Sequence, residues 1–223
     1  MSGPAAAGSL AETFRRLIAA TGPISLMHYM GESNAHYYAS KDPLGAGGDF
    51  VTAPEVSQMF GELVGVWLAD IWNRAGRPAN VRYVELGPGR GTLARDALRA
   101  MARFGMEPKV HLVEGSPALR KIQLAAVADA QFHDDLSGVP ADGPILLVAN
   151  EFLDALPVRQ LVRTAEGWRE VVVTTDGEGR FVLGPGPRPM DAAVPESRRE
   201  APEGTILETC PGAAATVFEV AGR

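Results

Sequence analysis

Cysteine is almost absent from the chain: Cys210 is the only one. A single thiol excludes an internal disulfide framework and a cysteine-built zinc site, and it fits a reducing compartment. The four histidines (His28, His36, His111 and His133) show no metal-ligand spacing, so no metal is expected. No apolar run approaches the ~20 residues that a bilayer-spanning helix needs. The nearest, residues 60–72, is interrupted by Glu62 and Asp70, so no membrane insertion is expected. Basic residues are outnumbered, 21 Lys plus Arg against 27 Asp plus Glu, for a formal charge of −6. No basic tract breaks that balance, which argues against a nucleic-acid partner. Residues 1–8 offer neither a basic nor an apolar leader segment, and the first arginine is Arg15. That stretch reads as a disordered tail of a cytoplasmic protein.

What is present is an ordinary globular composition, 46% hydrophobic and 22% charged over 223 residues, enough for one domain with an arm. Residues 9–80 read as a helical N-terminal arm and cap. A helix is expected over 10–20, a second over 24–30, and a loop over 31–48, where Gly45, Gly47 and Gly48 cluster. Thr52-Ala-Pro-Glu55 has the form of a capping box. From it an apolar stripe at 56, 59, 60, 63, 64, 67, 68, 71 and 72 predicts one long helix whose Met and Trp residues face a core. Residues 81–157 then alternate: strands over 81–86, 110–114, 131–133 and 145–150, with helices over 92–104 and 117–128 between them. Such alternation predicts a doubly wound parallel sheet with crossover helices. The last of these strands is continuously apolar up to Asn150, as in a strand buried on both faces. Residues 158–209 read as an antiparallel insertion. A hairpin of 160–163 with 168–174 leads to a third strand near Phe181, a Pro-rich loop over 184–204 and a strand over 205–209. Residues 210–223 begin a helix of the core.

The chemistry concentrates at Val84-Glu-Leu-Gly-Pro-Gly-Arg-Gly-Thr92, between a strand and a helix. Gly87, Gly89 and Gly91 allow a sharp turn and a close backbone approach to a ligand at a helix N-terminus. A dinucleotide loop spaces its glycines G-x-G-x-x-G. Here the third comes one residue early, at Gly91, with Thr92 in the expected place. Glu85 followed by G-x-G-x-G instead resembles the first motif of class I S-adenosylmethionine methyltransferases, the alternative being a purely structural turn. Glu114 closes the next strand, where a carboxylate can accept both hydrogen bonds of a ribose diol. Asp134 and Asp135 close the strand after that, either to meet an adenine amino group or as a solvated turn. Asn150, Glu151 and Asp154 follow the apolar strand, either facing an acceptor or capping a helix start.

Four segments occur in order: Gly47-Gly-Asp-Phe-Val-Thr-Ala-Pro-Glu-Val-Ser-Gln-Met-Phe-Gly-Glu62, Glu85-Leu-Gly-Pro-Gly-Arg-Gly-Thr-Leu93, His111-Leu-Val-Glu-Gly-Ser-Pro117 and Asn150-Glu-Phe-Leu-Asp-Ala-Leu-Pro157. Together with His36-Tyr-Tyr38 and Asp42-Pro-Leu-Gly45 they resemble the MidA family, methyltransferase-type assembly factors of respiratory complex I. The resemblance covers about residues 10–220. It implies an α/β fold, a Rossmann-like class I methyltransferase sheet with a helical N-terminal arm and a β-hairpin insertion. It implies S-adenosyl-L-methionine as cofactor and a protein substrate, a complex I subunit whose arginine becomes symmetrically dimethylated. It implies a mitochondrial matrix location for eukaryotic members. Carried over by residue, Glu85, Gly87, Pro88, Gly89, Gly91, Thr92 and Glu114 would hold the cofactor, with Asp134 near the adenine. Asp49, Phe50, Thr52, Glu55 and Gln58 would line the methionine or substrate side. Asn150, Glu151 and Asp154 would face the acceptor. Glu151 and Asp154 would orient the guanidinium and take its proton, with Glu55 or Asp49 in reserve.

Seven strands are expected of the full class I sheet, and the family continues past Arg223. The sheet expected here is therefore incomplete in its C-terminal half. Three other readings compete: an assembly chaperone that keeps the fold without catalysis, a nucleotide-dependent oxidoreductase, and a small-molecule methyltransferase. The early third glycine counts against the oxidoreductase.

Overall fold

The computed structural model describes residues 9–40 and 52–223. The expected tail at 1–8, and Asp49 and Phe50, lie outside the described residues. The chain divides into two compact units, one of residues 37–154 with 221–223, the other of residues up to 36 with 155–220. The segment 9–80 therefore contributes to both units rather than forming one arm.

The first of these units is built on a parallel sheet. Its strands are β2 (Arg82–Leu86), β3 (Lys109–Val113), β4 (Gln131–His133) and β5 (Ile145–Val148), in the order β4-β3-β2-β5. Helix α5 (Thr92–Ala102) connects β2 to β3, and α6 (Pro117–Ala126) connects β3 to β4. The chain steps outward from β2 in one direction and then returns to its other side at β5. In open α/β sheets that reversal marks the ligand crevice at the carboxyl ends of the strands. β2 is buried along its whole length. β5 is half-buried at all four residues, not fully buried as its unbroken apolar run suggested. Among the described residues it pairs with β2 alone, so it is an edge.

Tyr83 and Leu112 share one core with Leu68 and Ala69 of helix α4 (Gln58–Arg74) and with Ala97 and Met101 of α5. Burying such side chains contributes about 1.5–3 kcal/mol each. α4 reaches α5 through glycines: a Cβ on Gly65 would stand 2.3 Å from the Ala97 carbonyl oxygen, and one on Gly61 2.7 Å from the Asp96 Cβ.

The single long helix expected from Thr52 is two helices. The short α3 (Ala53–Val56) ends at Ser57, which is extended (φ −150°, ψ 124°). Its hydroxyl accepts from the Met59 N–H and starts α4. No side-chain cap forms at Thr52; its backbone carbonyl accepts from Glu55 and Val56 instead. The core expectation also fails for part of the stripe. Met59, Leu63 and Trp67 are 60–64% exposed, while Gly61, Gly65, Leu68 and Ala69 form the buried face.

The second unit holds α1 (Leu10–Thr21), with a full capping box between Ser9 and Glu12, and β1 (Ile24–Ser25). Helix α2 (Leu26–Ser40) begins here and runs ten residues beyond its expected end. β6 (Arg159–Thr164) and β7 (Gly167–Thr175) form the expected hairpin. β9 (Ile206–Thr209) flanks β6, β8 (Phe181–Pro189) flanks β7, and β1 pairs Val172 and Val173. β8 extends into the stretch expected to be loop, and Pro185, Pro187 and Pro189 lie in it. An outer strand tolerates proline because its outward positions need no N–H donor. Phe14, Ile18, Ile24 and Val173 make the local core, with the Phe14 and Tyr29 rings 4.7 Å apart. Trp168 is fully buried, its indole N–H donating to the Arg199 carbonyl at 3.0 Å. The final helix, α7 (Pro211–Ala221), buries none of its residues. Among the described residues, no helix is long and apolar enough to cross a membrane.

Candidate cofactor and acceptor site

Four loops leave the carboxyl ends of the parallel strands, and Gly87, Pro88, Gly89, Gly91, Glu114, Asp134, Asn150, Glu151 and Asp154 sit on them. The loop after β2 is shaped by glycine: Gly87, Gly89 and Gly91 have φ of 61°, 56° and 78°. Three left-handed residues within five positions would cost any residue with a Cβ about 1–2 kcal/mol each. The Gly91 N–H donates to the Pro88 carbonyl at 2.8 Å, and Gly91 caps α5 in the left-handed conformation. The Gly87 N–H donates to the Val113 carbonyl at 3.1 Å, which ties the loop to β3. A Cβ on Gly87 would lie 2.8 Å from the ring of Phe152, so the β5 loop presses directly on the glycine turn.

Glu85 is not on the loop's surface. It is 2% exposed and faces the interior with Tyr83, whose hydroxyl donates to it at 2.5 Å. Burial pushes its carboxyl up to about 7, and the Tyr83 hydrogen bond pulls the other way. Its place is beneath the turn as a partly protonated support.

Glu114 stands one strand away. One carboxylate oxygen accepts from the Ser116 N–H at 2.8 Å, the other from the Gln123 amide at 3.1 Å. The same amide donates to the Gly89 carbonyl at 2.7 Å. Arg120 donates from Nε to the Glu114 backbone carbonyl (2.6 Å) and from Nη2 to Asp134 (2.7 Å). Asp134 is thus ion-paired, although its side chain stays exposed. It borders a cleft of about 330 Å³ lined by Arg120, Phe132, His133, Asp135 and Ser137. Arg120 and Gln123 were not singled out by sequence. The available signal was a polar Gln123 on a helix face shared with the buried Leu119.

The signature segment before α4 also reaches the turn. The Thr92 hydroxyl, at the start of α5, donates to Glu55 at 2.5 Å. Glu55 therefore bridges α3 to the glycine turn instead of completing a capping box. Gln58 bonds along its own helix to Glu62 at 2.9 Å and does not join this group.

On the acceptor side, Asn150 is half-buried while Glu151 and Asp154 are exposed, on irregular turns rather than a helix start. Glu151 has φ 49°, a left-handed conformation for a side-chain-bearing residue. Such strain is of order 1–3 kcal/mol and concentrates at functional sites. Among the described residues, nothing hydrogen-bonds the two carboxylates.

This is the frame of a class I methyltransferase: a glycine turn at the switch point, an acidic residue closing the next strand, and a polar cleft beyond. A family model described as S-adenosyl-L-methionine-dependent methyltransferase matches residues 63–223. The chain belongs to this family. Among curated proteins it is similar to the mitochondrial protein arginine methyltransferase NDUFAF7 of Mus musculus, 36% identical over 99% of this chain and 58% of the relative. The Drosophila melanogaster homologue is 36% identical over 95% of this chain and 54% of its own length. A crystal structure from Burkholderia thailandensis, bound to S-adenosyl-homocysteine, superposes with a TM-score of 0.78 at 31% identity. That match covers 95% of this chain and 58% of the solved one. The chain thus spans little more than half the length of the relatives it matches.

One further pair of side chains meets between adjacent strands of the sheet. His111 Nδ1 and His133 Nε2 are 2.9 Å apart. Burial lowers the pKa of both; His133, Arg82 and Lys109 lower that of His111 further, and Arg120 lowers that of His133 while Asp134 and Asp135 oppose it.

Proposed function

We propose that this chain acts in S-adenosylmethionine-dependent methylation of a protein arginine, with a respiratory complex I subunit as the acceptor and dimethylarginine as the product. The observation that carries the reading is the assembled cradle. Three left-handed glycines and the Glu114 carboxylate are tied together at the switch point by the Gln123 amide. The cradle fits the cofactor: its turn lacks side chains where a ligand must approach closely, and Glu114 keeps lone pairs for a diol. The bound cofactor would supply an electrophilic methyl group.

The chain's own residues would do the rest. Gly87, Pro88, Gly89 and Gly91 give backbone approach, and Glu114 accepts from the ribose hydroxyls. The cleft beside Asp134 takes the base. Thr92, held by Glu55, fixes the start of α5, and Thr52 sits at the head of α3. Asn150, Glu151 and Asp154 stand at the end of β5. There the two carboxylates orient a guanidinium, and one accepts its proton as the new N–C bond forms. The names of the relatives support arginine as the acceptor, and the resemblance to complex I assembly factors supports the subunit. The single cysteine favours a reducing compartment.

The test is incubation with isotopically labelled S-adenosylmethionine and a recombinant complex I subunit, followed by hydrolysis and amino-acid analysis. Labelled symmetric dimethylarginine is the expected product. The exposure of Glu151 and Asp154 favours one second reading, a scaffold that binds cofactor without transferring its methyl. No label in the protein, from a chain that binds S-adenosylhomocysteine, would support that scaffold.

A further inference from the structure

Gln123 is fully buried, on the α6 face that also buries Leu119. An apolar side chain of the same size would fill that space without desolvating an amide. A glutamine stands there although, among the described residues, its buried Oε1 has no hydrogen-bond partner, which is a costly state for a carbonyl oxygen. Its Nε2 lies between two acceptors, the Gly89 carbonyl at 2.7 Å and the Glu114 carboxylate at 3.1 Å. That environment fixes the amide's orientation, because a flipped amide would set oxygen against both. Each N–H takes one acceptor, an arrangement that neither a carboxylate nor a thioether reproduces. The reach is possible because α6 lies against the turn. A Cβ on Gly91 would be 3.4 Å from both the Gln123 Cα and the Ala126 Cβ. Arg120, one helical turn earlier, holds the Glu114 backbone carbonyl.

We propose that Gln123 is a positioning residue for cofactor recognition: its amide locks the ribose-reading Glu114 to the glycine turn, so that diol recognition depends on a buried side chain that is not itself a ligand contact. The proposal rests on the cofactor reading above. With the lock in place, Glu114 has one rotamer and an aligned free edge. Without it, only the Ser116 N–H holds the carboxylate, its second oxygen must be ordered when ligand binds, and affinity falls by that cost.

The test is calorimetric titration of the full chain with S-adenosylhomocysteine and with its analogue lacking both ribose hydroxyls. The variants are Gln123→Met, Gln123→Leu, Gln123→Glu, Glu114→Gln and the double Gln123→Met/Glu114→Gln. Both apolar replacements conserve volume and remove a buried polar group, and unliganded thermal unfolding checks each one. Gln123→Met or Gln123→Leu is expected to weaken S-adenosylhomocysteine about tenfold or more, and the dihydroxyl-free analogue little. In the Glu114→Gln background the further loss is expected to vanish, because both residues act through one interaction. Gln123→Glu is expected to bind weakly at pH 8 and to recover only in part as the pH falls toward 5, where the introduced carboxyl can donate to one of the two acceptors. Equal weakening of both ligands, or full additivity with Glu114→Gln, would assign Gln123 a merely structural role and overturn the proposal. So would unchanged affinity, leaving the cofactor reading intact. If the parent chain binds neither ligand, the cofactor reading falls and this proposal falls with it.

Discussion

Replacing Glu85 by glutamine is expected to stabilise the chain above neutral pH and leave it nearly unchanged in acid. Burial moves the Glu85 carboxyl from 4.5 to about 7 in the folded chain. Between those values the folded state holds a proton that the unfolded state has released, so stability falls as pH rises. The contribution is full below 4.5 and is lost as pH passes through 7. Each pH unit is 1.36 kcal/mol, so the whole span amounts to about 3 kcal/mol. Glutamine keeps the shape and an oxygen that accepts from the Tyr83 hydroxyl, and it never ionises. The difference in unfolding free energy between Glu85→Gln and the parent should therefore be near zero at pH 4.5 and reach about 3 kcal/mol by pH 8.5. Urea titrations followed by tryptophan fluorescence measure it. His111 and His133 act in the opposite sense, because their lowered pKa values give stability that is present above the ordinary histidine pKa and lost as pH falls. They affect parent and variant alike and cancel in the difference. A pH-independent difference, or a variant less stable at pH 8.5, would refute the reasoning, since Glu85 would then ionise in place without penalty.

Gly89→Val should abolish S-adenosylhomocysteine binding in calorimetry, because a β-branched residue at φ 56° both strains the turn and blocks backbone approach. Undiminished affinity would show the turn to be structural only. Glu151→Gln should retain that affinity and lose methyl transfer to a protein acceptor, whereas full turnover would remove Glu151 from the mechanism. Gly65→Val should lower unfolding stability by about 3 kcal/mol, because even its Cβ would enter the Ala97 carbonyl at 2.3 Å. A chemical-denaturation midpoint equal to the parent's would show that α4 and α5 can move apart freely.

Much of the parallel unit was legible because its signals are local. Strand runs read as ending at Leu86, Glu114 and His133, each followed by a turn or a cap, place the strand ends to within a residue or two. Position-specific backbone needs at Gly87, Gly89 and Gly91 mark the loop. The break at Ser57 was hidden because the apolar stripe continues in phase across it, and periodicity does not register a hydroxyl that caps a new helix. The same stripe misassigned Trp67 and Met59. Glycine makes the close face of α4, and a hydrophobicity pattern gives it no weight. α2 ran on through Gly31, Ser33 and Asn34, where weak propensity was overridden by tertiary contacts such as the Asn34 amide donating to the Ala155 carbonyl at 2.7 Å. The prolines of β8 signalled a loop because sequence does not tell an outer strand from an inner one. At the site, the place of Glu114 at a strand end was legible from its position, but its partners were not. Gln123 and Arg120 reach it only because α6 packs against the glycine turn, a long-range fact with no local mark. The ion pair that occupies Asp134 has the same origin.

The most direct test of the central claim is a calorimetric titration of the purified chain with S-adenosylhomocysteine, with NAD as the control ligand. Selective binding of S-adenosylhomocysteine, in the micromolar range, is the predicted result. A folded chain that binds neither ligand, or that prefers NAD, would contradict the account.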